Sequence, residues 1–357
     1  MDLSEVYNGK KVLITGDTGF KGSWLALWLY KLGATVTGIG LKPKTSRDNY
    51  CVCGLGSVIT HHSCDIRQYD KIQEIFSATN PDMVFHLAAQ SLVSESYTSP
   101  RETFDINTQG TANILESIRH TPSVQAAVMV TSDKCYENHE WIYGYRETDP
   151  FGGHDPYSAS KGAAEIILSS YSRSFFSKEG TPVISSARAG NVIGGGDWSE
   201  NRIIPDFMRS LQERKPIDLR NHGTVRPWQH VLEPLYGYLL LGATMISRGH
   251  SFGGAWNFGP LYRNSLTVED LVQRFIEQGK RGEIKIPENR EKFHEAGFLS
   301  LEISNAVHQL GWHPVLDIDT MVQFTLDEYS VEGLSTDEVF NQRFAHINEY
   351  MNLQKRV

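Results

Sequence analysis

The sequence has few cysteines and no long apolar segment. Only four of its 357 residues are cysteine, and Cys51 and Cys53 are separated by one residue, too close for an ordinary zinc knuckle. This usage predicts reduced thiols in a cytoplasmic protein and no metal site. Because no run of about 18 apolar residues occurs, we expect no membrane span. The acidic stretch at residues 1–5 has no apolar core and is not expected to be a signal peptide.

An excess of positive charge is also missing. The chain has 34 Lys and Arg against 42 Asp and Glu, a formal net charge of -8. A surface of this sign opposes binding to nucleic acid. The length is sufficient for a large buried core and two lobes.

Apolar, β-branched segments alternate with helix-period segments through the first half of the chain. We predict strands at residues 11–15, 34–39, 57–62, 83–87, 126–131 and 182–187. We predict helices at residues 24–32, 103–120, 157–176, 202–214, 232–247, 266–279 and 302–310. The alternation predicts an α/β fold with a Rossmann-like, doubly wound parallel sheet at 1–189. A smaller, mixed C-terminal lobe is expected at 190–357, with parts of 230–260 packing back onto the first domain.

A glycine-rich turn follows the first predicted strand. Gly16, Gly19 and Gly22 form G-x-x-G-x-x-G, with Thr18 and Phe20 between them. Glycine permits a tight turn and close approach to a pyrophosphate, which the following helix N-terminus stabilises with its N–H groups and dipole. The motif predicts a dinucleotide site, and a plain strand-to-helix turn is the alternative.

The type of dinucleotide is not determined by residue spacing. Asp17 in the turn either reaches a ribose hydroxyl or caps the helix. An acidic residue about 20 positions further on would indicate NAD, but none occurs between Gly22 and Arg47. Lys42, Lys44 and Arg47 either accept a 2′-phosphate or belong to a solvated loop.

Later segments are predicted at the same edge of the sheet. The pair Asp65-Ile66 follows the third strand, where a carboxylate can accept a hydrogen bond from an adenine amine. The fourth strand ends in residues that let a cofactor lie close, namely Ala88, Ala89 and Gln90. Asn107 in the next helix is either a polar bridge between the backbone and the active site or a surface residue.

The segment Tyr157-Ser158-Ala159-Ser160-Lys161 places a phenol and an ammonium on one helix face. A nearby cation is expected to lower the pKa of Tyr157. Such a tyrosine can exchange a proton with a sugar hydroxyl while hydride passes to a nicotinamide. Together with the glycine-rich turn, the segment predicts oxidoreductase chemistry on an alcohol.

These motifs together resemble the extended short-chain dehydrogenase/reductase family, from residue 11 to about residue 312. Thr131–Tyr136 is similar to the catalytic segment of the nucleotide-sugar 4,6-dehydratases in that family, which usually carries Ser/Thr-Asp-Glu. Here Lys134 occupies the glutamate position. The lysine at this position and the sequences of segments 188–198, 226–231 and 311–314 are similar to those of the dehydratases that act on CDP-D-glucose.

The resemblance implies a tightly bound NAD and a CDP-D-glucose substrate. The implied product is CDP-4-dehydro-6-deoxy-D-glucose, a precursor of dideoxysugars in bacterial O-antigen and lipopolysaccharide. It also implies a homodimer paired through the helices that carry Asn107 and Tyr157, and further pairing of dimers stays open.

The resemblance also implies roles for individual residues. Tyr157 takes the C4 hydroxyl proton, Ser132 hydrogen-bonds the C4 oxygen, and Lys161 holds the cofactor ribose. Asp133 is the acid at the C6 oxygen, which requires a raised pKa. Lys134 is either a neutral base at C5 or a charge partner of Asp133. The implied contacts to the substrate diphosphate are Asn191, Arg202 and Arg226, with a surface salt bridge as the alternative for Arg202.

Two other functions are compatible with the sequence. One is a dTDP-, UDP- or GDP-sugar 4,6-dehydratase or a C4 epimerase of the same family, and Asp133 favours a dehydratase because an epimerase needs no acid at C6. The other is a non-catalytic NAD-binding regulator. The presence of Ser132, Tyr157 and Lys161 argues against a regulator, which does not need these groups.

Overall fold

The computed structural model describes residues 1–219, 221–260, 265–287 and 298–356. Its centre is a seven-stranded sheet with the order β11-β6-β5-β4-β1-β2-β3, in which every pair of neighbours is parallel. The strands are β1 (Lys11–Thr15), β2 (Thr35–Gly40), β3 (Thr60–Ser63), β4 (Met83–His86), β5 (Ala126–Val130), β6 (Val183–Ala189) and β11 (Gly254–Phe258). The strand order reverses between β1 and β4, which makes that position the switch point of a doubly wound sheet. The predicted fold class and strands are confirmed, whereas β11 was not predicted.

Helices cover both faces of this sheet. The larger ones near it are α2 (Phe20–Lys31), α4 (Tyr69–Thr79), α7 (Gly110–Arg119), α8 (Pro156–Phe175) and α10 (Leu232–Arg248). The short helices of the first half are α1 (Leu3–Tyr7), α3 (Asn49–Val52), α5 (Val93–Thr98) and α6 (Pro100–Phe104). Val12 and Ile14 of β1 pack into one core with Trp24, while Leu13 packs into the opposite core with Ile114. Alternate strand residues therefore serve the two faces, as expected for a sheet between helix layers.

The helix predicted at 103–120 has an irregular turn. Between α6 and α7, Asp105–Gln109 forms one turn of π-helix, and Asn107 lies in it. Such turns often occur at functional sites because they re-aim a side chain.

The chain returns to the main sheet after residue 231. The Tyr7 hydroxyl of α1 donates to the Leu239 carbonyl of α10 at 2.7 Å. A Cβ at Gly242 would lie 2.0 Å from Met83 Cε of β4, so α10 packs tightly on the sheet. Strand β11 then pairs with β6 at its edge.

The remaining elements surround a separate apolar cluster that includes Phe207, Phe275 and Val322. The helices around it are α9 (Ile203–Glu213), α11 (Val268–Gly279) and α12 (Ile318–Tyr329). The last helix, α13 (Thr336–Gln354), instead packs Val339, Ile347 and Tyr350 into the core that contains Trp24. The short strands are β7 (Val192–Ile193), β8 (Ile217–Asp218), β9 (Val225–Pro227), β10 (Gln229–His230), β12 (Ser265–Thr267) and β13 (Ile284–Lys285). The helix predicted at 302–310 is present from residue 304 to 310, and Ala306–Leu310 forms a π-helical turn. It begins two residues late because the Glu302 N–H donates to the Tyr145 carbonyl, next to the bridge between Leu301 and Tyr145. None of the described helices is long and apolar enough to cross a membrane.

Candidate active site

The glycine-rich turn connects β1 to α2 and has the shape that a dinucleotide needs. Gly16 has φ +78°, and a Cβ there would lie 2.8 Å from the Ala88 nitrogen at the end of β4. A Cβ at Gly22 would lie 2.0 Å from the Gly16 carbonyl oxygen. No side chain caps α2 at Gly19, so its first-turn N–H groups face outward and can bind an anion. These residues fit the pyrophosphate of a dinucleotide.

Asp17 does not cap α2, since the N-cap is Gly19. The Asp17 side chain is buried, and its Oδ2 lies 2.7 Å from His61 Nδ1 on β3. A Cβ at Gly38 would lie 2.0 Å from the same oxygen, and a Cβ at Gly40 would lie 2.7 Å from Oδ1. The carboxylate thus fills the space beside the end of β2, where this fold usually carries its acidic residue. Burial raises the pKa of Asp17, and His61 opposes that rise.

The basic residues after β2 do not form a cluster around a phosphate. The Arg47 guanidinium lies 3.9 Å from the centroid of the Trp198 ring, and its Nη1 donates to Gln212 Oε1 at 2.8 Å. Lys42 and Lys44 are exposed. The arrangement favours a solvated loop for these lysines, with Arg47 packed against the second lobe.

The other predicted cofactor residues line the edge formed by β3 and β4. Asn107 bridges this edge to α8: its Oδ1 accepts from Gln90 N at 2.9 Å, and its Nδ2 donates to Gln90 O at 2.9 Å and Ser160 Oγ at 2.8 Å. The predicted polar bridge is therefore present. Asp65 accepts from Arg67 Nη2 at 2.7 Å and thus already has a cationic partner.

Neighbouring contacts hold the rest of the edge in place. Thr18 Oγ1 donates to the Leu41 carbonyl at 2.7 Å, which attaches the glycine-rich turn to the end of β2. A Cβ at Gly110 would lie 2.5 Å from Ile66 Cδ1, so the residue after Asp65 packs closely on α7. Phe20 lies against Gly194 of the second lobe.

The segment after β5 places two acid–base candidates in one tight turn. Ser132 Oγ accepts from Lys134 N at 3.2 Å and donates to Asp133 Oδ1 at 2.9 Å. Asp133 is 5% exposed, and a Cβ at Gly190 would lie 2.7 Å from its Oδ2. Glycine is thus required opposite this carboxyl group.

Asp133 is a buried carboxyl group with several cations nearby. Burial raises its pKa, while Lys134, Ser132, Lys21 and Arg226 act in the opposite direction. The net direction is upward, which is the direction that a general acid requires.

Lys134 is half-buried and lies at the mouth of the turn. It lines a pocket of about 180 Å³ together with Val93, Tyr136, Asp155 and Ser158. The pocket opens beside the N-terminus of α8, which carries Tyr157. Lys134 is therefore placed between solvent and the catalytic segment.

Tyr157 and Lys161 both project from α8 into the buried site and are 8% and 6% exposed. Burial raises the pKa of Tyr157 to about 12, and Ser132 only partly opposes this rise. The sequence-based expectation of a lowered tyrosine pKa is wrong for this structure, because burial outweighs any effect of the lysine. Burial also lowers the pKa of Lys161 to about 8, with Glu165 opposing. Lys161 Nζ is 3.5 Å from the Val130 carbonyl.

The predicted diphosphate residues lie on the second-lobe side of the site. Arg226 is 6% exposed and lowers the pKa of Asp133. Arg202 Nη1 donates to Asp197 Oδ2 at 2.8 Å, and its Nη2 donates to Ser91 Oγ at 3.2 Å. Asn191 accepts from Gln229 N through its carbonyl at 3.2 Å. Arg202 is in an ion pair with Asp197, yet it also affects the pKa of Tyr157, so it lies near the catalytic residues.

Lys21 is the residue of this site that the motif analysis did not identify. It is the second residue of α2, and its charge lowers the pKa of Asp133. Burial, together with Arg202 and Lys161, lowers the pKa of Lys21 to about 7. The sequence signal that could have identified Lys21 is its position as a cationic residue inside the glycine-rich motif. No group of three or more His, Cys, Asp and Glu side chains that could hold a metal occurs in the described segments.

A glycine-rich turn after β1, with serine, tyrosine and lysine at the carboxyl edge of a parallel sheet, defines a Rossmann-like short-chain dehydrogenase/reductase. The chain belongs to the GDP-mannose 4,6 dehydratase family, whose sequence profile it matches over residues 13–325. It is 43% identical to the CDP-glucose 4,6-dehydratase of Salmonella typhimurium over 312 residues, which are 86% of this chain and 87% of that protein.

Solved structures confirm the fold. An epimerase from Methanothermobacter thermautotrophicus superposes with a TM-score of 0.80 at 22% identity, covering 98% of this chain and 97% of that one. The UDP-glucose 4-epimerase of Thermus thermophilus, in complex with NAD, superposes with a TM-score of 0.76 at 23% identity, covering 89% and 98%. At these identities the similarity concerns the fold alone.

Proposed function

We propose that this chain is an NAD-dependent nucleotide-sugar 4,6-dehydratase whose substrate is CDP-D-glucose. The observation that carries the proposal is the buried Asp133 beside Lys134, in the same site as Tyr157 and Lys161. Hydride exchange at C4 needs the tyrosine and lysine, and loss of water across C5 and C6 additionally needs an acid and a base. Both sets of groups occur in one cluster, formed by the turn after β5 and the first turns of α8.

The proposed division of work follows the position of each group. Tyr157 would accept the C4 hydroxyl proton as the phenolate. Burial disfavours that form in the protein alone, and the positive charge of a bound oxidised nicotinamide would favour it. Ser132 would hydrogen-bond the C4 oxygen. When bound, NAD would supply the hydride acceptor for C4 and the hydride donor for C6, and Lys134 would return a proton to C5 in that second transfer. Asp133 protonates the departing C6 hydroxyl, and Lys134 removes the C5 proton that the neighbouring ketone has made acidic. The glycine-rich turn and Lys161 hold the dinucleotide.

The assignment of the substrate rests on the similarity to the Salmonella enzyme and on the cationic second-lobe side of the site. Arg226 and Arg202 face the same centre from that side, and guanidinium groups bind diphosphate through paired hydrogen bonds. We propose that Asn191 completes this diphosphate site. Residues 1–189 then serve the dinucleotide, and 190–357 serve the nucleotide sugar.

The test is incubation of the protein with CDP-, dTDP-, UDP- and GDP-glucose, followed by measurement of 4-keto-sugar absorbance in alkali. We expect the highest kcat/KM with CDP-glucose. A higher value with dTDP-glucose would overturn the base assignment and leave the dehydratase class intact. Conversion to the C4 epimer without a 4-keto-sugar product would contradict the dehydratase proposal itself.

We further propose a homodimer in the cytoplasm. Three large apolar side chains are exposed on α6 and α8: Phe104, Ile166 and Phe175 are 37%, 59% and 48% exposed. Helix α6 leads into the turn that carries Asn107, and α8 carries Tyr157. Pairing would cover them. All four cysteines are free thiols, which suits a reducing compartment. Light scattering of the wild type and Ile166→Glu tests the pairing, with a monomeric variant as the expected result and a monomeric wild type as the contrary one.

A further inference from the structure

Lys21 is a cation for which the proposed reaction has no assigned task. It is the second residue of α2 and extends from the glycine-rich turn toward the catalytic centre. Its Nζ lies 5.9 Å from the centroid of the Tyr238 ring on α10. Its other charged neighbours are Arg202, Asp133 and Lys161. In the described parts of the chain its ammonium forms no ion pair with a carboxylate.

Tyr238 is a second group in this space that lacks a partner. The side chain is 0% exposed, and its hydroxyl has no hydrogen-bond partner among the described residues. Burial, Asp133 and Tyr157 all raise its pKa. An unpartnered phenol and an unpartnered ammonium therefore border the same space as the catalytic tyrosine.

A nicotinamide that exchanges hydride with the sugar carbon served by Tyr157 must lie beside Tyr157 and Lys161. Lys21 belongs to that same group of side chains. The oxidised ring carries a positive charge, and the reduced ring is neutral. A neighbouring ammonium therefore repels only the oxidised form.

We propose that Lys21 tunes the redox equilibrium of the site: its ammonium lies next to the nicotinamide and favours the reduced over the oxidised ring. The inference rests on the proposed dinucleotide chemistry. It gives the dehydratase a way to draw hydride from an unactivated alcohol carbon. Lys21 acts here through charge and is not a proton donor or acceptor in the reaction.

The experiment measures the dissociation constants of NAD and NADH by calorimetry at pH 6.5 for the wild type, Lys21→Met and Lys21→Arg. In Lys21→Met we expect the affinity for NAD relative to NADH to rise roughly ten- to a hundredfold, the effect of one nearby charge in a partly desolvated site. Each tenfold change corresponds to about 30 mV in the potential of the bound couple. Lys21→Arg keeps its charge and should keep the wild-type ratio. Lys178→Met, at an exposed site after α8, is the matched control.

Equal changes in both dissociation constants would overturn the proposal, because a lysine that grips the pyrophosphate or merely packs affects both dinucleotides alike. Failure of the wild type to bind either dinucleotide would instead refute the proposed function. If Lys21→Met does not fold, the wild type remains informative. Because the pKa of Lys21 is about 7, the affinity of the wild-type protein for NAD relative to NADH should rise between pH 6 and 7.5. Lys21→Arg should not show this rise. A flat wild-type ratio would also overturn the proposal.

Discussion

Arg188 and Glu165 form a two-point ion pair in the interior of the protein. Arg188 Nε donates to Glu165 Oε1 at 2.9 Å and Nη2 donates to Oε2 at 2.7 Å, with both side chains 2% exposed. Glu165 also accepts from the Thr131 hydroxyl. The pair therefore connects the end of β6 and the end of β5 to α8, one helical turn after Lys161. Ser132, in the turn after β5, and Lys161 on α8 thereby share one rigid support.

Arg188→Met should destabilise the protein by about 3–5 kcal/mol, because it leaves Glu165 buried without its cation. The measurement is the free energy of unfolding in urea at pH 7. The matched control is Arg146→Met, since Arg146 pairs with Asp149 but its side chain is 68% exposed. That exposed pair should contribute no more than about 1 kcal/mol. Equal losses in the two variants would show that the buried pair is not important for stability.

Tyr157→Phe should lower turnover by roughly 10²–10⁴-fold, the usual contribution of a positioned proton-transfer group. Dinucleotide affinity should be nearly unchanged, since the glycine-rich turn is untouched. Lys161→Ala should lose both turnover and dinucleotide affinity, because Lys161 is proposed to serve the reaction and to hold the dinucleotide. Steady-state kinetics and calorimetry check the two quantities separately. Wild-type turnover in Tyr157→Phe would remove the tyrosine from the mechanism.

Much of the fold was predictable because its signals are local. Strands β1, β2, β4, β5 and β6 lie in short segments rich in apolar and β-branched residues, and the glycine-rich turn follows β1 directly. Strand β3 is the polar sequence Thr60–Ser63, and the segment predicted at 57–62 only partly overlaps it. Strand β11 was not predicted because its residues Gly254–Phe258 carry little apolar alternation, and it is a strand only through pairing with β6. The helix predicted at 302–310 begins only at residue 304, because the hydrogen bond from Glu302 N to the Tyr145 carbonyl is a long-range contact that the local sequence does not reveal.

The candidate site was predictable where residue type and spacing carry the chemistry. The contact of Asp17 with His61 was not, because His61 is on β3 and sequence distance conceals the neighbourhood. The pKa of Tyr157 was predicted in the wrong direction because burial is a property of the folded chain. Lys21 was missed because the motif defines glycines and leaves its position open.

Glu233 should make stability depend on pH. Its Oε1 accepts from the backbone N–H groups of Val315 and Leu316, and its Oε2 accepts from the Tyr350 hydroxyl at 2.7 Å. Burial raises the pKa of Glu233 from 4.5 to about 7. The folded state therefore holds the proton more tightly than the unfolded state. This stabilisation is fully present below pH 4.5 and is lost as pH rises through about 7.

Glu233→Gln should thus flatten the decline in stability between pH 5 and 8, by an amount on the order of 2–3 kcal/mol. A glutamine oxygen can still accept from both backbone N–H groups. Unfolding free energies across this pH range check the prediction, with the exposed Glu179→Gln as control. A parallel decline in Glu233→Gln and the wild type would contradict it.

Asp133 and Lys134 should affect different parts of the reaction, if Lys134 is the base at C5. In the proposed reaction, the oxidation at C4 requires only Ser132, Tyr157, Lys161 and NAD. Lys134→Met should therefore reduce bound NAD on addition of substrate and then stall, with absorbance accumulating at ~340 nm. In deuterated water the stalled sugar should gain little label at C5, because no base removes that proton.

Asp133→Asn is the paired variant, since it removes the acid and keeps the proposed base. It should also stall, yet the C5 position should exchange with deuterium because Lys134 is intact. Mass spectrometry of the sugar recovered from each variant measures the label. If Lys134→Met incorporates deuterium at the wild-type rate, another group is the base, and Lys134 acts as the charge partner that opposes the raised pKa of Asp133.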